Sequence, residues 1–468
     1  MVRVTNMMLT NTMLLNINRN VGQIDKLYTQ ISTAKKIQVP SDDPITAARA
    51  LKFRSNVSET EQYQQNVSQG MAWMDVTEGA YNNVVDIMKT IKDRCVEAAN
   101  GILETTDRQA IAAQIRQMTR QLGSEMNVTY AGRYVFSGFR TNEPPVFSQA
   151  VDDKRYEITQ SFTVNDIEKT QSYQKLSVSS PSGTDEPLVY HSNMMKLSYS
   201  YATSLTPTDS SFEVITASAL DPNPYDSASI PSGKLVYIQE TGELIVSDAD
   251  IADFPSQLDI KYVKAGFADG ELNPIVYFPC KDLDSALPYD MSVQDIAYEF
   301  SVNTDVYINS LAKNVYTDKM FADLNRLCRF LEEISISNER RLSEKYSSDP
   351  YNLTGDQLNA AVNRQITAEK GQLAAVLHDR FNNMLEMCDR YIANISKEQT
   401  DLGARMNRLD LIQSRLEQDE GGYTKLMSDN EDVDMMEAMM RKSNAEAVYQ
   451  ASLKAGASII QMTLSNFI

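Results

Sequence analysis

Histidine is almost missing from this sequence: His191 and His378 are the only two in 468 residues. That scarcity excludes chemistry built on histidine clusters, whether nucleophilic triads or zinc centres. Cysteine is nearly as rare. Cys95, Cys280, Cys328 and Cys388 are widely spaced, with no C-x-x-C, so neither a disulfide framework nor a thiolate cage is indicated. Three of the four fall on apolar positions of predicted helices, where a thiol behaves as a small hydrophobe. No apolar run approaches the roughly 18 residues that a membrane span needs. The first residues, MVRVTNMMLTNTMLL, lack the apolar core of a Sec-type signal peptide. Bases are outnumbered, 44 Lys and Arg against 63 Asp and Glu, for a net charge of −19. That balance argues against a nucleic-acid-binding module, which needs a basic surface for phosphate contacts. Neither a dinucleotide glycine motif, a P-loop nor an H-E-x-x-H is present. No enzyme, cofactor or metal is therefore expected. Asp248, Asp250, Asp253 and Asp259 are read as a solvated acidic loop, since the turn glycine and final Glu of a calcium loop are missing.

Proline is abundant in one region only. Of 15 prolines, 12 lie between Pro144 and Pro288, and none follows Pro350. Proline breaks helices, so the flanks are free to be long helices and the middle is not. Charge draws the same line, because residues 141–300 hold 25 acids and 9 bases. Heptad-like seams mark the flanks. They include Leu14, Ile17, Val21, Ile24, Tyr28 and Ile31, then Val84, Met88, Ile91, Cys95, Ala98 and Ile102. A helix is predicted to start at the capping box Thr106–Gln109, and another seam runs Met320, Leu324, Leu327, Leu331 and Ile334. The longest helix is predicted from near Asp356 to a stop at Gly421-Gly422, about 60 residues or about 90 Å. Such a rod must bury its stripe on partners, and the only segment of matching length, 44–100, lies beyond the proline-rich block.

The expected fold is α+β: an elongated, discontinuous helical bundle or coiled coil built from both termini, with an inserted β-rich domain. The expected divisions are terminal helices at 1–39 and 429–468, a long-helix bundle at 40–140 and 315–428, and an acidic β-rich block at 141–314. Within that block, Lys234–Gln239 and Glu243–Ser247 flank a tight turn, and Arg155–Thr159, Glu213–Thr216, Leu258–Val263, Ile275–Phe278 and Tyr298–Ile308 read as further strands. Arg133–Phe139 reads as a short strand or hairpin on the bundle.

Two local features stand out. Pro40-Ser41-Asp42-Asp43-Pro44 reads as a helix start, with Ser41 or an Asp accepting from exposed N–H groups and Pro44 in the first turn. The terminal segments carry opposite charge: 1–39 has 5 bases and 1 acid, whereas 429–468 has 6 acids and 3 bases. The second bears a shallow stripe of Met436, Met440, Ala447, Ala451, Ala455, Ile459 and Met462. By residue chemistry alone, the two ends can extend the intramolecular bundle, pair with each other, or pair with neighbouring subunits.

The stretches ISTAKKIQVPSDDPITAARALKFRS, GRYVFSGFRTNEPPVF and EDVDMMEAMMRKSNAEAVYQASLKAGASIIQMTLSNFI together resemble the hook-associated proteins of the bacterial flagellar hook–filament junction, relatives of flagellin. The likeness covers roughly the first 147 and last 150 residues. Two prolines in PSDDP are closer to the junction proteins than to flagellin, while Ala34 stands where the family generally has Gly. The resemblance implies a non-enzymatic, secreted structural subunit, exported by the flagellar type III apparatus and located at the hook–filament junction. Its implied partners are further copies of itself, a neighbouring hook-associated protein, flagellin, and an export chaperone at the C-terminal segment. It also implies that both ends are disordered in the monomer and become helical on assembly, and that the acidic middle faces outward. A flagellin-type filament subunit is the alternative.

Overall fold

The computed structural model describes residues 6–100, 104–173, 189–219, 221, 224–291, 294–301, 304–333 and 338–465. Seven helices frame it: α1 (Asn6–Thr33), α2 (Pro44–Asn100), α3 (Thr105–Met126), α4 (Asp318–Glu333), α5 (Glu339–Ser347), α6 (Gly355–Glu431) and α7 (Met435–Ser465). They divide between two compact units. One is drawn from both ends, Met1–Ser68 and Leu409–Ile468, with Glu299–Thr304; the other comprises Gln69–Tyr298 and Asp305–Arg408.

In the larger unit the heptad seams become the core. Val84, Met88, Ile91, Cys95 and Ala98 of α2 are buried, as are Leu377, Phe381, Met384, Cys388, Ile395 and Leu402 of α6. Lys92 Nζ meets Asp389 at 2.5 Å and Gln399 meets Asn82 at 2.9 Å, so the two helices run antiparallel. Met320, Leu324, Leu327 and Leu331 bury the α4 stripe, and α4 packs on α3 with Cys328 Sγ 3.5 Å from the Ala112 carbonyl. Ile102 and Ile334 lie outside the described residues. All four thiols are free and buried, and burial raises their pKa values, Cys388 to about 12.

The β-rich block holds two five-stranded sheets. The first runs Pro288–Tyr289, Cys280–Asp282, Val151–Phe162, Leu258–Phe267 and Thr203–Pro207, antiparallel throughout. The second runs Glu168–Tyr173, Val189–Lys196, Glu243–Val246, Lys234–Ile238 and Glu213–Ala217, with only its last pair parallel. Gly242, at φ 75°, makes the predicted turn between Lys234–Ile238 and Glu243–Val246. Thr129–Tyr130 and Arg133–Tyr134 form the small hairpin, turning through Ala131 and Gly132, both at positive φ. Tyr298–Ile308 becomes the paired strands Ala297–Ser301 and Thr304–Tyr307.

Four expectations need correction. Ile275–Phe278 is no strand: Pro274–Tyr277 is a helical turn with Pro274 at its start and Phe278 N–H donating to the Pro274 carbonyl. An unbroken apolar run has no period to separate the two conformations. The α3 cap lies two residues earlier than predicted, at Glu104, whose N–H donates to Asp107. Asp250 is buried, not solvated, and accepts from Ser232 Oγ and Gly233 N–H. Gly421-Gly422 does not stop the long helix, which continues to Glu431. Two glycines cost about 2 kcal/mol of helix propensity, and the packing of buried Leu416 with the 2.8 Å Gln64–Glu420 hydrogen bond holds the segment helical.

Phe381 is fully buried on α6. Phe381→Ala is expected to lower unfolding stability by about 3–5 kcal/mol, measured by urea denaturation of the full chain. A loss below about 1 kcal/mol would mean that this seam is not packed core.

Candidate functional site: the paired terminal helices

The described parts of the terminal segments, Asn6–Thr33 and Met435–Ser465, are helical and pair with each other, where the resemblance implies disordered monomer ends. α1 and α7 run antiparallel: Asn20 lies 3.4 Å from Ser452, Lys442 Nζ sits 5.4 Å over the Tyr28 ring, and a Cβ on Gly456 would fall on the end of Met13. Half-buried or buried positions include Met13, Ile17, Asn20, Ile24, Leu27 and Ile31 on α1, and Ala438, Lys442, Ala445, Tyr449, Ser452 and Gly456 on α7. Both sets step by four and three, which is an a/d seam. Asn20 and Ser452 give it one polar layer, and such a layer sets register at some cost in stability.

The apolar stripes read from the sequence only half coincide with this seam. Ile17, Ile24 and Ile31 belong to it, whereas Leu14, Val21 and Tyr28 are exposed. On α7 the whole predicted stripe that can be followed, Met436, Met440, Ala447, Ala451 and Ala455, points to solvent, with Met436 74% exposed. Ile459 and Met462 lie on α7 where side chains are outside the described ones. Sequence reading also passed over Leu15, Met439, Val448 and Leu453, all exposed. Both helices of the pair therefore carry exposed apolar side chains beyond those used internally.

A clasp at the base of the pair aligns two helix breaks. After α1, Ala34 adopts φ 57°. Lys36 N–H then donates to the Glu431 carbonyl at 2.7 Å, and Val433 N–H donates to the Ala34 carbonyl at 2.9 Å. Asp434 restarts the chain as α7, accepting from the N–H groups of Met436 and Glu437. The Glu431 side chain is 2% exposed and lies 2.5 Å from Arg54 and 3.3 Å from Lys35, while Lys35 also meets Asp432 at 2.6 Å. Burial opposes ionisation of Glu431, but the hydrogen bonds from Arg54 and Lys35 outweigh it and hold its carboxyl below the ordinary range. Asp432 is held low by hydrogen bonds from Lys35 and Ser428. This clasp was not anticipated from sequence, although the opposite charge of the two ends pointed toward it.

PSDDP directs the chain from α1 into α2. Asp43 is the cap: its carboxylate accepts from Ile45 N–H, Thr46 N–H and the Thr46 hydroxyl, with Pro44 as the first helical residue. Asp42 turns the other way, accepting from Gln38 and Val39 N–H and lying 3.5 Å from Lys26. Those bonds hold both carboxyls below their usual range. Pro40 and Ser41 are exposed in the turn.

Two predictions follow from the clasp. Ala34 occupies a left-handed conformation that costs an L-residue about 1–2 kcal/mol, so Ala34→Gly is expected to raise stability by up to about 1 kcal/mol in thermal unfolding, the balance being lost to the unfolded chain's greater freedom. The depressed Glu431 and Asp432 carboxyls contribute stability above their ordinary range, and it is lost as pH falls through their lower folded values. Protection factors of α1 and α7 amides should therefore drop below about pH 4, before those of α2 core amides, in hydrogen-exchange mass spectrometry corrected for intrinsic rates. Simultaneous loss of protection would refute a role for this charge cluster.

Residues 4–141 match the bacterial flagellin N-terminal helical region, and residues 385–468 match the bacterial flagellin C-terminal helical region. Flagellar hook-associated protein 3 of Salmonella typhimurium is 29% identical over 150 residues, which is 32% of this chain and 47% of that protein. The Escherichia coli protein of the same name is 31% identical over 121 residues, 26% of this chain and 38% of that one. The chain thus spans less than half the length of these curated relatives, and flagellins match as well. Among solved structures, flagellar hook-associated protein-3 from Legionella pneumophila aligns over 80% of this chain and 96% of its own, at 13% identity and a TM-score of 0.31. No helix among the described residues is long and apolar enough to cross a membrane. This chain thus carries segments similar to the flagellin N- and C-terminal helical regions, one at each end and in chain order, and over part of its length it is similar to hook-associated protein 3 of two bacteria.

Proposed function

We propose that the protein is a non-enzymatic structural subunit of the bacterial flagellum, forming the layer between hook and filament. The observation that carries this reading is the exposed apolar side chains of the terminal pair: Leu14, Val21 and Tyr28 on α1, with Met436, Met440, Ala447, Ala451 and Ala455 on α7. Exposed apolar side chains concentrated on one element mark an interaction site, and closely spaced alanines let another helix approach at little loss of side-chain entropy. The partners are further copies of this chain, then a hook-associated protein on one side and flagellin on the other, joined after type III export. An export chaperone docking on the C-terminal segment covers the same methionines before assembly. The relatives' names, hook-associated protein 3 in two bacteria, support the junction position. In this reading the domain plan is terminal assembly helices at 1–39 and 429–468, a helical layer at 40–140 and 315–428, and an outward acidic block at 141–314.

Flagellin is the second reading, because flagellins are also among the relatives. A seeded filament subunit polymerises without limit, whereas a junction subunit stops after one layer.

In a strain lacking this chain, hooks without filaments and filament subunits lost to the medium are expected. Val21→Asp combined with Met440→Asp should keep the folded monomer's helicity yet fail to restore filaments by electron microscopy. Ile24→Asp should instead unseat α1 from α7 and lower helicity. Full motility with the double variant would overturn the interface.

A further inference from the structure

The larger unit holds a cavity of about 170 Å³ bounded by strand Glu168–Tyr173, α4 and α6. Its lining cations are Lys169, Lys196, Arg326, Arg380 and Arg390. Only three carboxylates line it, Glu168, Asp323 and Glu386, so the wall is net positive in a chain of net charge −19. Two of those carboxylates are already engaged. Lys196 Nζ lies 2.8 Å from Glu168 and against Asp323, and Asp323 also accepts from the Tyr391 hydroxyl at 2.5 Å. Arg326 is also engaged, its Nε 2.7 Å from Glu243 and its Nη1 3.8 Å from Glu168.

Arg380 is different. Its Nη2 donates to the Gln171 carbonyl at 2.6 Å and its guanidinium lies 5.1 Å over the Phe330 ring. Its Nε is sealed from solvent with no acceptor. No carboxylate forms an ion pair with Arg380 among the described residues. Burial, and then the neighbouring Arg326 charge, lower its pKa to about 9. Glu243, Asp379 and Glu168 lie near enough to favour the charge of this half-buried guanidinium without pairing with it, and its sealed N–H without an acceptor is costly. Lys169 and Arg390 stand at the exposed rim of the same cavity, again without a carboxylate partner among the described residues.

We propose that this cavity binds a small inorganic oxyanion, phosphate or sulfate, with the half-buried Arg380 guanidinium as its anchor and Lys169 and Arg390 closing over it from the rim. Fixed donors of this kind suit an oxyanion, and Arg presents them in a planar fork. The bound ion joins the edge strand Glu168–Tyr173 to α6, so it stabilises the larger unit by mass action.

The test is equilibrium dialysis of the full-length protein with radiolabelled phosphate, alongside thermal unfolding in phosphate or sodium chloride at matched ionic strength. Saturable phosphate binding and a saturable rise in melting temperature are expected, with sulfate competing and chloride not. Arg380→Gln should weaken binding at least tenfold. If that variant does not fold, the exposed-rim variant Lys169→Gln/Arg390→Gln decides, with a several-fold weaker affinity expected. A melting temperature that rises without saturation, equally in wild type and variants, is general salt exclusion and overturns the proposal, as does phosphate binding no tighter than chloride.

Discussion

The side-by-side closure of two helix breaks is the constraint on which the terminal unit depends. α1 ends at Thr33 and α6 at Glu431, and the chain between Ala34 and Lys36 is hydrogen-bonded to the chain between Glu431 and Val433. Both helices on the far side of these breaks are thereby started at a common base and run antiparallel. Glu431 supplies the electrostatic part, because one nearly buried carboxylate accepts from the end of α1 through Lys35 and from α2 through Arg54. A pair of this kind is weak evidence for stability, since desolvation offsets much of the Coulomb attraction. Its stronger effect is on register: a displaced helix would leave the carboxylate buried and unpaired.

Given that base, the terminal pair can be stable and still leave apolar side chains exposed. The internal seam needs only a/d positions, and it is filled with modest side chains, including Asn20, Ala438, Ala445, Ser452 and Gly456. Large apolar groups are also left outside, Leu15 at 70% exposure and Met436 at 74%. In a subunit with no further partner this allocation would be wasteful, because apolar surface in water is unfavourable. In a subunit that meets copies of itself the same allocation is the expected one. Methionine suits such contacts, since its flexible thioether side chain adapts to imperfect packing.

Much of this architecture was legible in the residues. The proline map separated helical flanks from a β-rich middle, and the seams through Val84–Ala98, Met320–Leu331 and Leu377–Leu402 are core. Errors arose where period alone was ambiguous. Val21 was assigned to the seam over Asn20 because it is apolar, yet the pair of helices rotates so that Asn20 meets Ser452. Gly421-Gly422 signalled a stop that packing overrides. The clasp was hidden for another reason: Lys35 and Asp432 are 397 positions apart, and nothing local announces the contact.

By itself the sequence determined that both flanks are long amphipathic helices and that the middle is rich in strands, because periodicity and proline placement are local properties. It also determined the PSDDP turn, where Asp43 and Pro44 act on their own neighbours. Only the tertiary structure decided which apolar positions are spent inside and which remain outside, and that Arg380 lines a cavity with no carboxylate in salt-bridge contact among the described residues. Those outcomes depend on helix rotation and on contacts between residues far apart in the chain, so they exist only once the whole chain has closed on itself.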